Sequence, residues 1–144
     1  MNLPADPFFV KRENIKESET EIVEVWLESL KAHVYTEKGL ICKNLWETPI
    51  YRYISTIAKN PPYGDINIYV GYHNVVRDRF NPEDDHTVKK ALELFISLKD
   101  NGYDKNNLIV IYKDGKIIRD GQNRAAILYY LYGDIIIKAL KVNR

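Results

Sequence analysis

Five consecutive residues, Asp120-Gly121-Gln122-Asn123-Arg124, are the stretch of this 144-residue chain whose types and spacing best suit chemistry. Two β-branched runs precede them, Leu108 to Tyr112 and Lys116 to Arg119, parted by Lys113-Asp114-Gly115, whose Asp-Gly pair signals a hairpin. After them, Ala125, Ala126, Ile127, Leu128 and Leu131 predict a short helix stopped at Gly133, then a last strand from Ile135 to about Val142. A strand thus delivers the chain through a glycine turn onto a helix N-terminus. Gly121 permits a tight backbone and close ligand approach, while the first helical N–H groups lack intrahelical partners and the helix dipole adds partial positive charge. That is an anion site in outline. Arg124, in the first turn, supplies a planar bidentate donor for phosphate or carboxylate. Asp120 stands where a carboxylate would bridge a metal or act as a base. A purely structural reading uses the same residues: Gly121 turns the chain, Asp120 caps the helix and Arg124 lies on its solvated face. Residue types alone leave both readings open.

The elements upstream supply the other half of a candidate site. Ile66 to Val70 alternates like a strand. The following loop, Gly71 to Pro82, is rich in donors, among them His73, Arg77 and Arg79. Glu83, Asp84 and Asp85 then precede a helix predicted over 86–100, with Val88, Ala91, Leu92, Phe95, Ile96 and Leu98 as its buried stripe and Gly102 as its stop. Acids at a helix start ordinarily complement the dipole and cap; the alternative is catalysis by Glu83 or Asp85. A nest built from Gly121, the helix start and Arg124, faced by His73, Arg77 and Arg79, is what a nucleotide triphosphate needs.

Nearer the N-terminus, residues 1–18 lack periodicity and read as an arm carrying Phe8-Phe9. Ile22, Val23, Trp26, Leu27, Leu30 and Val34 share one face of a helix predicted over 19–34, with Trp26 in the core. A second apolar segment, Leu40 to Ala58, is expected to hold a helix starting near Thr48, with Pro49 in its first turn, and ending before Asn60. Cys42 reads as a small core residue. Asn60-Pro61-Pro62-Tyr63-Gly64 is the clearest break, giving a helical addition over 1–62 packed on an α/β core over 63–144, one globular unit together.

Composition sets the remaining bounds. With 45% hydrophobic and 28% charged residues the chain is globular, and a net charge of +1 gives no field to recruit nucleic acid or an anionic membrane. One cysteine excludes an internal disulfide, and three scattered histidines give no zinc spacing. No apolar run is long enough to span a membrane and no signal-peptide pattern opens the chain, so a soluble cytoplasmic protein is expected. The oligomeric state is left open.

The run KIIRDGQNRAAILYYLYGDIIIKALKV resembles the ParB/sulfiredoxin-like superfamily, whose members carry an equivalent strand, a Gly-x-x-Arg turn, a helix with small residues, a Leu-Gly-like stop and a final strand. Chromosome-partition ParB proteins have GERR at the turn, sulfiredoxin has GCHR and the proteins of some DNA-modification systems have DGQHR; this chain has DGQNR. The resemblance covers Ile66 to Val142, is clear from Leu108 onward, and extends to the order of elements. It implies an α+β fold, a small mixed β-sheet with helices, here preceded by the N-terminal helical addition. It also implies ATP or another NTP as ligand with Mg2+: sulfiredoxin and related free-serine kinases use ATP, partition ParB uses CTP. The site residues it implies are Gly121, Gln122, Asn123 and Arg124 with Arg77, Arg79 and His73 for phosphate, and Asp120 with Glu83 or Asp85 for chemistry or metal.

Three departures shape the expectation. Gln122 replaces sulfiredoxin's nucleophilic cysteine, which removes sulfinic-acid reduction by that route unless Cys42 substitutes. Asn123 replaces the histidine of DGQHR, keeping a donor and an acceptor but no group that titrates near neutrality. No helix-turn-helix follows the motif, so direct nucleic-acid binding is not expected. The function expected is an NTP-dependent phosphotransferase, acting on a small-molecule or glycan acceptor, or an NTP hydrolase. The alternative is a non-catalytic nucleotide-responsive regulator or partner-binding module linked to DNA modification or partition.

Overall fold

The computed structural model describes residues 19–36, 38–61, 64–66, 68 and 88–143. Asp114 folds the first recognisable unit. Its Oδ1 accepts from the backbone N–H groups of Lys116 (2.9 Å) and Ile117 (3.1 Å), and Gly115 takes φ +75°, so the chain reverses between β4 (Ile109–Ile111) and β5 (Ile118–Asp120). These strands are antiparallel, with a β-bulge: β5 moves two residues, from Ile118 to Asp120, while β4 moves one, from Ile111 to Val110. Helix α3 (Gln122–Tyr132) follows, stopped by Gly133, whose N–H donates to the Tyr129 carbonyl at 2.8 Å. It returns the chain to β6 (Ile136–Val142), which runs parallel to β4 on the side away from β5. Hairpin, glycine turn, helix and last strand therefore stand as expected.

The N-terminal part departs from expectation. The segment predicted as a helix over 19–34 is instead strand β1 (Thr20–Trp26), a 3-10 turn (Leu27–Ser29) and strand β2 (Lys31–Thr36). β1 pairs antiparallel with β6 over its whole length, completing a mixed sheet in the order β1-β6-β4-β5. Two facts explain the strand. Thr20, Ile22, Val23 and Val25 are β-branched and stiff at χ1, and the Val23/Val25 alternation puts a half-buried edge on the core while Glu21 and Glu24 remain exposed. Ile22 and Trp26, assigned to a buried helical stripe, are exposed. The first 62 residues are thus not a helical layer laid on a core, because one of their strands belongs to the main sheet.

β2 pairs with β3 (Gly39–Asn44), and the Lys31 N–H donates to the Lys116 carbonyl at 2.8 Å, hooking this hairpin onto β5. Cys42, expected in the core, is exposed on β3. The helix anticipated near Thr48 is α1 (Pro49–Ile54), with Thr48 as N-cap and Pro49 in the first position. Helix α2 (Val88–Asn101) ends at Gly102, φ +74°, with Ala91 and Leu98 buried but Ile96 exposed rather than part of the stripe. Ile66 and Ile68, read as strand, are helical; the rest of the 66–70 segment, like the 1–18 arm, lies outside the described residues.

Helix α3 occupies the centre. Ala125, Ala126, Ile127 and Leu128 are all buried, a full turn enclosed on every side by the sheet (Ile109, Ile111, Ile118, Ile137, Ala139) and by α1 and α2 (Ile50, Tyr53, Ile54, Ala91, Leu98). The two alanines let neighbouring backbones approach closely. A helix so enclosed holds its N-terminus, and the glycine turn before it, in a fixed place.

Candidate functional site

Gly121 sits at φ +97°, ψ +23°, and α3 begins at the next residue. The Gly121 carbonyl accepts the first helical bond, from Ala125 N–H at 2.9 Å, leaving the N–H groups of Gln122, Asn123 and Arg124 outside the intrahelical ladder. Gln122, Asn123 and Arg124 are half-exposed. The cap position is Gly121 itself, which has no side chain to offer the first turn. Asp120 ends β5 opposite Val110, half-buried, displaced by the bulge next to the turn.

Arg124 does not extend into solvent. Its guanidinium folds back over Gly121, so that a Cβ placed on that glycine would lie 2.7 Å from Nη2 and 3.1 Å from Cζ, and 3.1 Å from Ile109 Cγ1 on the other side. Nη1 donates to the Asn107 carbonyl. Side chains of a helix tilt toward its N-terminus, so a residue three positions into α3 reaches back across the turn naturally.

The loop that receives Arg124 is itself braced. Asp104 Oδ1 accepts from Asn106 N–H at 2.8 Å, and the Asn107 N–H donates to the Asp104 carbonyl at 3.2 Å. The Tyr103 hydroxyl accepts from Ile109 N–H and donates to the Lys138 carbonyl, both at 2.7 Å, tying the entry of β4 to β6. Burial pushes the Tyr103 phenol above its ordinary pKa, opposed by the Ile109 N–H bond and the nearby positive charge of Arg124. Tyr103 and Asn107 were not singled out in the sequence. Asn107 acts through its main-chain carbonyl, which no residue type announces, and Tyr103 follows a helix-stop glycine like any loop aromatic. Arg119, at the bulge, buries Nε and Nη2 and was likewise unmarked.

Of the expected site residues, the structure brings together Asp120, Gly121, Gln122, Asn123 and Arg124. His73, Arg77, Arg79, Glu83 and Asp85 lie outside the described residues. Cys42 is at the other end of the β4–β5 hairpin, where partial desolvation raises its thiol pKa, Lys31 opposes and Asp114 adds to the rise. With its pKa raised rather than lowered, this thiol lacks the activation that a nucleophilic cysteine needs. Among the described residues no cluster of three or more His, Cys, Asp or Glu is placed to hold a metal ion, and no helix is long and apolar enough to cross a membrane. Asp120 is the one carboxylate beside the turn on the 120–124 stretch. It is the residue of this stretch that would hold a magnesium ion arriving with a nucleotide, an ion that takes one or two protein carboxylates.

Comparison of the chain with protein-family models, with curated proteins and with solved structures gives no match.

Proposed function

We propose that this protein binds a nucleoside triphosphate in the manner of the ParB/sulfiredoxin-like superfamily and acts as an NTP-dependent phosphotransferase or hydrolase. The observation that carries the reading is the left-handed Gly121, which feeds a β-strand onto the open first turn of a rigidly enclosed helix. The order around it supports the same reading: an antiparallel strand pair, the turn, the helix, and a last strand parallel to the first of the pair.

The backbone N–H groups of Gln122, Asn123 and Arg124 bind the terminal phosphates, and the amides of Gln122 and Asn123 add donors. Arg124 exchanges the Asn107 carbonyl for a phosphate oxygen and offsets charge on the transferring group. Magnesium, held by a carboxylate and the nucleotide, would neutralise phosphate charge when bound. In transfer, an acceptor hydroxyl passes its proton to a carboxylate, its oxygen bonds the γ-phosphorus, and the bond from that phosphorus to the bridging oxygen breaks to release the diphosphate. Asp120 is assigned one of the two roles, holding magnesium or taking this proton, with Glu83 or Asp85 as further acids for the other. The acceptor is a small molecule or glycan, or water.

A second reading has its own observation. Because Arg124 is already engaged by Asn107, nucleotide binding would release the 103–109 loop, which suits a non-catalytic regulator. Calorimetry with ATP, CTP, GTP and ADP in magnesium tests binding. One of them is expected to bind, and Arg124→Ala to weaken it by up to about tenfold, the charge-assisted contact to phosphate less the bond to Asn107 that it replaces. Absence of binding below millimolar overturns the proposal. Turnover that survives in Asp120→Asn removes Asp120 from the chemistry, and no turnover in the wild type leaves the regulator.

A further inference from the structure

Cross-strand partners in an antiparallel ladder share a face. On the β1–β6 ribbon, Val23, Val25, Ile137 and Ala139 face the core. The opposite face ought then to be polar, as for a sheet with one solvated side. It is not. Ile22 is 64% exposed, Trp26 52% and Ile136 49%, Trp26 and Ile136 being direct cross-strand partners, while half-buried Leu140 stands opposite Ile22. Between the two apolar pairs stand Glu24 and Lys138, directly opposite each other and both exposed. Among the described residues they form no ion pair, although Lys141 and Glu21 on the other face meet at 3.1 Å.

We infer that this outer face is a self-association surface whose occupant is the same face of a second copy of the chain. The argument is its pattern. Place a two-fold axis in the interface, parallel to the strands, so that β1 of each copy lies over β6 of the other. Trp26 then meets Ile136, Ile22 meets Leu140, and Glu24 meets Lys138, each pair occurring twice. The face is its own complement in shape class and in charge, as an isologous interface requires. A partner of uniform charge, such as an anionic membrane or a nucleic acid, would set Glu24 against it. The face is small, so the dimer is weak and exchanging.

Sedimentation velocity on the full chain, from about 5 μM to about 500 μM, brackets the affinity expected of so small an interface. The wild type is expected to pass from monomer to dimer across that range. Trp26→Glu is expected to remain monomeric with an unchanged circular-dichroism spectrum, since the side chain is exposed. Glu24→Lys is expected to remain monomeric because it sets lysine against lysine. Combining Glu24→Lys with Lys138→Glu is expected to restore the dimer. A wild type that stays monomeric throughout overturns the inference, as does a Glu24→Lys or Trp26→Glu chain that dimerises as well as the wild type.

Discussion

Gly121→Ala tests how the turn is built, and the structure gives the size of the effect. At φ +97° an alanine incurs roughly 1–2 kcal/mol of left-handed strain. Its Cβ would also stand 2.7 Å from Arg124 Nη2, a distance that no folded structure keeps, so the guanidinium must leave. Leaving breaks the bond to the Asn107 carbonyl, which at a half-exposed site is worth about 1.5 kcal/mol, the lower end for hydrogen bonds to charged groups. The single variant should therefore lose about 3 kcal/mol, by adding about 1.5 of strain to about 1.5 of lost contact. Arg124→Ala alone should lose about 1.5 kcal/mol. The double variant should lose about 3 rather than the sum of 4.5, because the contact can be lost only once, giving a coupling of about 1.5 kcal/mol. Urea unfolding of the four proteins, read as midpoint and slope, measures each corner of the cycle. Strict additivity would refute the reasoning: Arg124 would then not lie over Gly121 in solution, and the glycine would be required by its backbone angle alone.

Two further changes test the frame that holds the site. Tyr103→Phe deprives Ile109 N–H and the Lys138 carbonyl of their shared partner and should cost about 1–2 kcal/mol. Because the folded phenol's pKa is raised, its contribution is fully present below the ordinary tyrosine value and is lost as pH rises through the folded one. Wild-type stability should fall in that alkaline window, more gently in Tyr103→Phe but not flat, since burial raises Tyr53 and Tyr129 in the same direction; identical pH profiles would refute the assignment. Thr48→Ala removes the acceptor for Tyr51 N–H (3.3 Å) and the donor to the Leu45 carbonyl (2.7 Å) at a buried cap, and should cost about 1–2 kcal/mol. Thr48→Ser should recover most of it, and an unchanged melting temperature in Thr48→Ala would show that α1 does not depend on its cap.

The half of the fold that was legible from residue types is the half built by local rules. Asp114-Gly115 specifies its own turn through one side-chain oxygen and one left-handed glycine, and Gly102 and Gly133 stop their helices where they stand. Residues 19–34 were misread because Ile22, Val23, Trp26, Leu27, Leu30 and Val34 satisfy a helical period, while the strand that competes is decided by β6 at the other end of the chain. Helical spacing counts apolar residues and does not know that Trp26 and Ile22 will face outward. Cys42 was misplaced for the same reason: its exposure follows from which side of the β2–β3 hairpin meets the body.

The candidate site was legible as residues but not as a mechanism, and the reason lies in Arg124. The Gly-x-x-Arg spacing has a meaning before any ligand arrives: the arginine folds back over the turn to reach Asn107, and only a residue without a Cβ leaves it room. Glycine and arginine are thus coupled by packing as well as by any shared phosphate. An incoming anion competes with a main-chain carbonyl for the same guanidinium, so its measured affinity is a difference between two contacts rather than the worth of one. Tyr103 and the turn at Asp104 fix that carbonyl, which makes the 103–109 loop the competitor that any ligand of Gly121 must displace.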